Sequence, residues 1–140
     1  MTKQIILLYN KPVDVIIDAS CVVSILLAEH EAKEIRKKTS NIQLVSSSCL
    51  PYEVGNSLTS ALKRRRITAN IIDKIFREFK KMPIRLVETN IETALRIAAD
   101  ENHYAYDAYY IACAIDKNLP ILSLDNGLIE IARKRGIKCL

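Results

Sequence analysis

The sequence predicts an α/β domain whose mostly parallel central sheet is covered by helices on both faces. Short runs of β-branched and aliphatic residues alternate with longer amphipathic segments, which is the pattern of repeated strand–helix units. The length of 140 residues suits one domain with its own core. No internal repeat, low-complexity tract or linker interrupts the sequence. We therefore expect a single domain over residues 13–140, preceded by an extension over residues 1–12 that adds an edge strand or a contact.

The strands are predicted from short apolar runs that end in small polar residues or at a proline. The first run is β-branched and closes at Asp18, and the second leads into three serines that we interpret as a loop. The later two begin beside prolines. The predicted strands cover residues 13–18, 42–45, 84–87 and 120–124, with a final short strand after Gly136.

The helices are predicted from apolar residues at helical spacing and from capping signals. Ser20 and Thr68 are candidate N-caps, Pro51 lies near a helix start, and Gly136 follows a helix end. The helix before the fourth strand directs Ala108, Ile111, Ala112 and Ile115 to the core. The predicted helices cover about residues 20–27, 31–38, 51–66, 69–82, 91–98, 105–117 and 128–134.

Composition and charge exclude several classes of protein. Hydrophobic residues make up 49% and charged residues 26%, which argues against disorder. No apolar run approaches the ~20 residues of a membrane helix, so we expect a soluble, cytoplasmic protein without a membrane partner. Four separated cysteines lack zinc-site spacing and are predicted to be free thiols. The net charge of +5 is compatible with a polyanionic partner.

Four acidic residues are predicted to meet at one edge of the sheet. Asp18 closes the first strand, and Asp125 follows the strand at residues 120–124. Glu53 and Asp107 lie near the starts of helices that begin at the same edge. Ligands of parallel sheets bind beyond the carboxyl ends of the strands. The order of elements therefore brings four carboxylates together from distant parts of the chain.

Clustered carboxylates at this edge favour a divalent cation. Two carboxylates about 5 Å apart repel by roughly 3 kcal/mol at an effective dielectric of 20, so four would separate, protonate or capture a cation. Oxygen ligands without histidine or thiolate favour Mg²⁺ or Mn²⁺. Each acid alone could equally serve as a helix cap or complement the helix dipole. The convergence of all four acids at one edge favours a functional site over four separate structural roles. His30 and His103 are interpreted as surface residues.

Four segments carry a resemblance to a known family. They are VIIDAS at residues 15–20, LPYEVGNSL at 50–58, YDAYYIACA at 106–114 and LSLDNGL at 122–128. In this order and spacing they resemble the PIN domain, most closely the VapC-type toxins of prokaryotic toxin–antitoxin pairs. The resemblance covers residues 13–140 and implies a three-layer α/β/α sandwich.

The resemblance also implies an activity, site residues and partners. It implies an endoribonuclease that uses one or two Mg²⁺ or Mn²⁺ ions and leaves 5′-phosphate and 3′-hydroxyl ends. It further implies a homodimer and a small antitoxin protein that covers the acidic site. We expect interface residues at positions 22–27 and 71–79. The implied metal ligands and catalytic residues are Asp18, Glu53, Asp107 and Asp125, with Ser20, Asn56 and Asn126 as supporting polar groups.

Substrate binding has to come from side chains other than the acids. A basic run could bind the RNA backbone, or could be a solvated helix end. Tyr104, Tyr106, Tyr109 and Tyr110 could stack on unpaired bases, although core or dimer packing is the favoured interpretation for most of them. The basic run consists of Lys63, Arg64, Arg65 and Arg66.

Two other functions stay open from the sequence. One is a PIN-like module that binds RNA or protein without cutting, since Asn126 stands where some family members have a further acid. The other is a phosphohydrolase acting on small phosphoesters. It is disfavoured because no second acid lies two residues after Asp18, as aspartyl-phosphate enzymes require.

Overall fold

A four-stranded parallel sheet forms the centre of the protein. The computed structural model describes residues 13–140, and the extension predicted for residues 1–12 lies outside the described residues. The strands are ordered β3-β2-β1-β4, and every neighbouring pair is parallel. This confirms the predicted α/β fold class. The strands are β1 (Val15–Ile17), β2 (Leu44–Ser47), β3 (Ile84–Val87) and β4 (Ile121–Leu122).

Seven helices connect and cover the strands in the described part of the chain. The longest has 14 residues, and none of the helices within residues 13–140 is long and apolar enough to cross a membrane. The helices are α1 (Ala19–Leu26), α2 (Ala32–Lys38), α3 (Leu50–Lys63), α4 (Ala69–Lys81), α5 (Ile91–Asp100), α6 (Ala105–Lys117) and α7 (Asn126–Lys134).

The core is buried on both faces of the sheet. All three residues of β1 are fully buried although successive side chains point to opposite faces, so each face carries a layer of helices. α6 packs against β1, β2 and β4, while α1 packs against α3 and α4. The observed architecture is therefore the three-layer sandwich that the resemblance implied.

Three predicted details of the fold are wrong. Ser46 and Ser47 are fully buried in β2 rather than in a loop, because Ser46 Oγ donates to the carbonyl of Ile17 at 2.6 Å and thereby satisfies a polar group inside the sheet. The final strand is only a bridge between Ile121 and Cys139. Ile115 is exposed, because in the last turns of α6 the buried face is formed by Ala112, Cys113 and Ala114.

Helix termini differ from the prediction at two capping positions. Asp18, not Ser20, occupies the N-cap of α1, and its side chain accepts from the backbone N–H of Cys21. Thr68 occupies the N-cap of α4, but its hydroxyl donates to the side chain of Asn70 instead of accepting from the helix backbone. The four cysteines are free thiols, as predicted.

Candidate active site

The four acids predicted to converge lie at the carboxyl edge of the sheet. Asp18 directly follows β1 and caps α1, and Asp125 follows β4 and caps α7. Glu53 and Asp107 lie in the first turns of α3 and α6. β1 and β4 are neighbours in the sheet, paired at Ile17 and Leu122, so two of the acids extend from adjacent strands.

Asp18 is the most buried of these acids and is held by three donors. Ser20 Oγ donates to its Oδ1 at 2.6 Å, and Ser123 Oγ donates to its Oδ2 at 2.6 Å. The backbone N–H of Cys21 adds a bond of 3.2 Å. Burial raises the pKa of Asp18, the three donors oppose that rise, and the charge of Asp125 adds to it. The carboxylate is therefore fixed in position, while burial still makes its ionised form unfavourable.

Glu53 is bound by a tyrosine from a different helix. The hydroxyl of Tyr110, on α6, donates to Glu53 Oε2, and the tyrosine side chain is buried. Burial raises the pKa of Glu53 to about 6 even though the tyrosine hydrogen bond lowers it. The charges of Asp18, Asp107 and Asp125 contribute to the rise. The pKa of Glu53 therefore depends on the charges of all three other acids.

Asp107 lies beside a histidine that the sequence assigned to the surface. His103 Nδ1 is 3.1 Å from Asp107 Oδ2, and the histidine side chain is 30% exposed. The nitrogen is itself buried and not aligned for a good hydrogen bond. Burial and then the charge of Asp125 raise the pKa of Asp107 to about 6, and His103 opposes this rise. His103 is therefore a half-buried residue that contacts Asp107, whereas His30 is exposed.

A turn after β4 joins Asp125 to the rest of the cluster. Asp125 Oδ1 accepts from the N–H of Leu128 at 3.0 Å, and the N–H of Asp125 donates to Ser123 Oγ at 2.9 Å. Because Ser123 also donates to Asp18, one hydroxyl links two of the acids. His103 borders this turn as well, since a Cβ added at Gly127 would lie 3.0 Å from His103 Nε2.

The predicted supporting residues differ in how closely they contact the acids. Ser20 bonds Asp18 directly and also accepts from the N–H of Leu124 at 2.9 Å, which ties α1 to the turn after β4. Asn126 is the exposed first residue of α7, next to Asp125. Asn56 is exposed one helical turn after Glu53. Of these three predicted supporting residues, only Ser20 makes a hydrogen bond to the side chain of a candidate acid within residues 13–140.

The chemistry of the donor set fits a divalent cation, but the side chains do not yet enclose one. Within residues 13–140, none of the four acids forms an ion pair with a lysine or arginine, so their negative charge is left to one another and to His103. Across the same residues, no three His, Cys, Asp or Glu side chains form a group that could hold a metal ion. Mg²⁺ usually keeps several water ligands, so one or two of these carboxylates could hold an ion without enclosing it.

The basic run lies at the far end of α3 from Glu53. Lys63 ends the helix, Arg64 follows it, and Arg65 adopts a left-handed backbone with φ 57°. Arg66 Nη2 lies 2.9 Å from Glu29 Oε1, so part of its charge is already compensated. With a rise of 1.5 Å per residue, Lys63 stands about 15 Å along the helix from Glu53.

Sequence reasoning missed three residues that contact the acids. Tyr110, Ser123 and His103 each contact a different acid. A signal existed for Tyr110, which lies one helical turn after Asp107, and for Ser123, which lies two residues before Asp125. His103 precedes Asp107 by four residues, the spacing that places side chains on one helix face, but it lies before α6 begins.

Comparison with known proteins supports the resemblance drawn from the four segments. The sequence model of the PIN domain matches residues 15–134. A ribonuclease named VapC3 from Pyrobaculum aerophilum is 24% identical over 120 residues, covering 82% of this chain and 92% of the relative. The crystal structure of PAE2754, also from Pyrobaculum aerophilum, superposes with a TM-score of 0.69 at 20% identity and covers 95% of this chain and 89% of that one. The chain belongs to the PIN domain family.

Proposed function

We propose that this protein is a Mg²⁺- or Mn²⁺-dependent endoribonuclease that hydrolyses RNA phosphodiester bonds, acting as the toxin of a toxin–antitoxin pair. The observation that carries the proposal is the convergence of Asp18, Glu53, Asp107 and Asp125 at one sheet edge with no lysine or arginine paired to them within residues 13–140. Burial, and after it the charges of the neighbouring acids, raise the pKa values of Glu53 and Asp107, so a bound cation would stabilise the ionised set.

Membership of the PIN family and a relative named as a ribonuclease support the choice of reaction. The relative is similar over 92% of its own length, so the similarity extends across a whole nuclease chain rather than a fragment of it. All four candidate acids fall inside the matched residues 15–134.

The candidate residues are of two kinds: acids that would bind the metal ion, and polar side chains that hold those acids in place. A divalent cation held by the four acids would supply Lewis-acid activation of water and charge neutralisation at the scissile phosphate. Ser20 and Ser123 hold the Asp18 carboxylate from both sides, and Tyr110 holds Glu53. These donors keep the acids oriented toward the site although the acids repel one another. Asn56 and Asn126 remain proposed supporting groups at its rim.

The proposed contacts to the RNA backbone are Lys63, Arg64, Arg65 and Arg66. All four are exposed, and they lie about 15 Å along α3 from Glu53, beyond the direct reach of the acids. Phosphates contacted there would be several nucleotides from the scissile bond. Arg66 contributes less than its neighbours because of its ion pair with Glu29.

The proposal includes two protein partners, a second copy of this chain and a small antitoxin. The resemblance to VapC-type toxins supports both. Interface residues are expected at positions 22–27 and 71–79, where Leu26, Ile75 and Phe76 are only half-buried. A cavity of about 620 Å³ lies between α1, α2 and the end of α4 and offers apolar surface to a partner.

The proposal is tested by RNA cleavage with purified protein. Structured and single-stranded RNAs are incubated with Mg²⁺, with Mn²⁺ or with chelator, beside Asp18→Asn and Asp107→Asn variants. We expect cleavage that needs the metal and is reduced at least about 100-fold by either substitution. Asp116→Asn is the matched control, because Asp116 lies on α6 like Asp107 but is exposed at the opposite end.

Each contrary result has a definite meaning. Cleavage that persists in chelator, or in both variants, would rule out the proposed site. Binding of RNA without cleavage under every metal condition would favour a PIN-like module that holds RNA or protein without cutting. Loss of activity in Asp116→Asn as well would point to a general folding defect rather than to the acids.

A further inference from the structure

A largely apolar groove lies at the amino edge of the sheet, opposite the candidate site. Val13 precedes β1 and Pro120 precedes β4, so both residues lie where these two parallel strands begin. Both line the groove, which has a volume of about 460 Å³. Its other walls are the end of α6 and the segment after α7, which contribute Ile115, Leu119 and Ile137. We call this feature the amino-edge groove.

The apolar side chains of the amino-edge groove are incompletely covered within residues 13–140. Val13 is 58% exposed and Ile115 is 45% exposed. Leu119 and Ile137 are half-buried and pack against the core from the side of the groove. Ile115 follows the apolar spacing of α6 and lines the groove instead of entering the core. An apolar segment that covered these side chains would be stabilised by removing their surface from water.

The chain supplies an apolar segment directly beside this groove. Residues 5–9 read IILLY, and only three residues separate them from Val13, the first described residue. Since an extended chain advances by at most about 3.5 Å per residue, the Cα atom of Tyr9 lies within about 14 Å of the Cα atom of Val13. Val13 itself lines the groove, so a segment on this short connection meets it at a high effective concentration. Weak apolar contacts are then sufficient for docking.

The charges near the groove show what kind of contact can hold the segment. Residues 1–12 contain Lys3 and Lys11 and no acidic residue. Among the groove residues, Arg135 is positively charged, and its Nη2 already lies 3.2 Å from Glu101 Oε1. Ion pairs with the groove therefore cannot supply the affinity. The two lysines flank the apolar run, so both can stay in solvent while the residues between them are buried.

We propose that residues 5–9 of this chain dock in the amino-edge groove and cover Ile115 and Ile137, so that the N-terminal segment is joined to the end of α6 and to the residues after α7. Of the two roles expected for residues 1–12, an edge strand or a contact, the groove favours the contact. Docking here is independent of the proposed nuclease function, because the candidate acids lie at the opposite edge of the sheet.

Photocrosslinking of the full chain identifies what occupies the groove. p-Benzoylphenylalanine replaces Tyr9, and isotopically labelled and unlabelled chains are mixed before irradiation and peptide mass spectrometry. We expect crosslinks within one chain to residues 114–120 or 135–138. Crosslinks that join labelled to unlabelled chains would overturn the proposal by placing the segment on a second copy. Crosslinks to other surfaces, or none to protein, would overturn it as well.

Proteolysis and thermal unfolding test the same contact without a crosslinker. Chymotrypsin cleavage after Tyr9 is followed by intact mass as the loss of residues 1–9. We expect Ile115→Gln to accelerate this cleavage by at least about 5-fold, because an undocked segment is open to the protease. Leu95→Gln is the matched control and should leave the rate unchanged, since Leu95 is 52% exposed on α5 and does not line the groove.

A double-mutant cycle tests whether the segment and the groove act on each other. Leu7→Gln and Ile115→Gln should each lower the Tm by about 2–6 °C, and the double variant should lose no more than Ile115→Gln alone. Additive losses of Tm, or equal cleavage rates in Ile115→Gln and Leu95→Gln, would overturn the proposal. These readouts do not involve RNA, so a wild-type chain that cleaves no RNA would count against the proposed function and leave the docking result intact.

Discussion

The hydroxyl of Tyr110 donates a hydrogen bond to Glu53, a residue 57 positions earlier in the chain. The bond joins α6 to α3 across the candidate site and is the only hydrogen bond to the Glu53 side chain within residues 13–140. This single donor fixes the direction of the half-buried Glu53 carboxylate, and the orientation is lost when the donor is removed.

Removing this donor should weaken both folding and the proposed reaction. Tyr110→Phe leaves a partly buried carboxylate without its partner, which costs about 1–3 kcal/mol in the free energy of unfolding. We expect cleavage to slow by about tenfold or more and Mn²⁺ affinity to fall, because Glu53 loses its orientation. Urea denaturation, cleavage rates and Mn²⁺ titration measure these effects.

Tyr109→Phe is the matched control for that change. Tyr109 is the adjacent tyrosine on the same helix and makes no hydrogen bond to a candidate acid among the described residues. Equal losses in both phenylalanine variants would mean that the Tyr110 hydroxyl has no special role in holding Glu53.

The raised pKa of Glu53 predicts how stability of the metal-free protein depends on pH. Its pKa rises from 4.5 to about 6 on folding, so between these values the folded chain keeps a proton that the unfolded chain releases. Stability contributed by this group therefore falls as the pH rises from about 4.5 through 6. The full shift corresponds to about 2 kcal/mol, which partial exposure reduces to about 1 kcal/mol.

Glu53→Gln removes this dependence while keeping a partner for Tyr110. In chelator, the free energy of unfolding of the variant minus that of the wild type should increase by about 1 kcal/mol between pH 4 and pH 7. Chemical denaturation at several pH values measures the difference. A constant difference across this range would show that Glu53 titrates normally in the folded protein.

Two buried serines should respond in opposite ways to the same substitution. Ser123 donates to Asp18 and accepts from the N–H of Asp125, so Ser123→Ala should cost about 1–3 kcal/mol and reduce cleavage. Ser24 Oγ is buried without a hydrogen-bond partner in residues 13–140, so Ser24→Ala should be neutral or stabilising by about 1 kcal/mol. Thermal and urea unfolding compare the pair, and equal destabilisation would contradict the assignment of Ser123 as a link between two acids.

Two helical glycines provide a second matched pair. A Cβ at Gly127 would lie 3.0 Å from His103 Nε2 and 3.2 Å from Asp125 Oδ1, so Gly127→Ala must displace one of them. We expect lower activity and lower Mn²⁺ affinity. At Gly55 nothing lies within 4 Å of the added atom, so Gly55→Ala should add about 0.5–1 kcal/mol of stability through helix propensity and leave cleavage unchanged. Unchanged cleavage in Gly127→Ala would show that His103 is free to move away at no functional cost.

Local patterns were sufficient to predict most of the fold. Leu50, Val54 and Leu58 recur every four residues, which is a helical spacing readable from the sequence, and all three are buried on the core side of α3. The predictions that were wrong concern residues whose environment depends on partners far away in the sequence. Ser46 pairs with Leu86 in the sheet and donates its hydroxyl hydrogen bond to the carbonyl of Ile17, and no pattern near Ser46 contains that information.

The candidate site, like the fold, was predictable where it depends on the order of elements and not where it depends on contacts between residues distant in sequence. Topology is sufficient to bring the four acids to one edge, because strand ends and helix starts are readable along the chain. Their partners are not readable in this way. Nothing in the sequence distinguishes Tyr110 from the other apolar residues of α6, or His103 from other loop residues. Their roles become apparent only in the folded structure, where Tyr110 contacts Glu53 and His103 contacts Asp107.

The pairing of β1 with β4 has a consequence for how this family can diversify. Asp18 and Ser123 are separated by 105 positions in sequence, yet their side chains are bonded because Ile17 and Leu122 are neighbours in the sheet. Insertions or deletions in the connections between those strands would leave the separation of these two side chains unchanged. Loops elsewhere could lengthen to recognise new substrates while one wall of the site kept its dimensions.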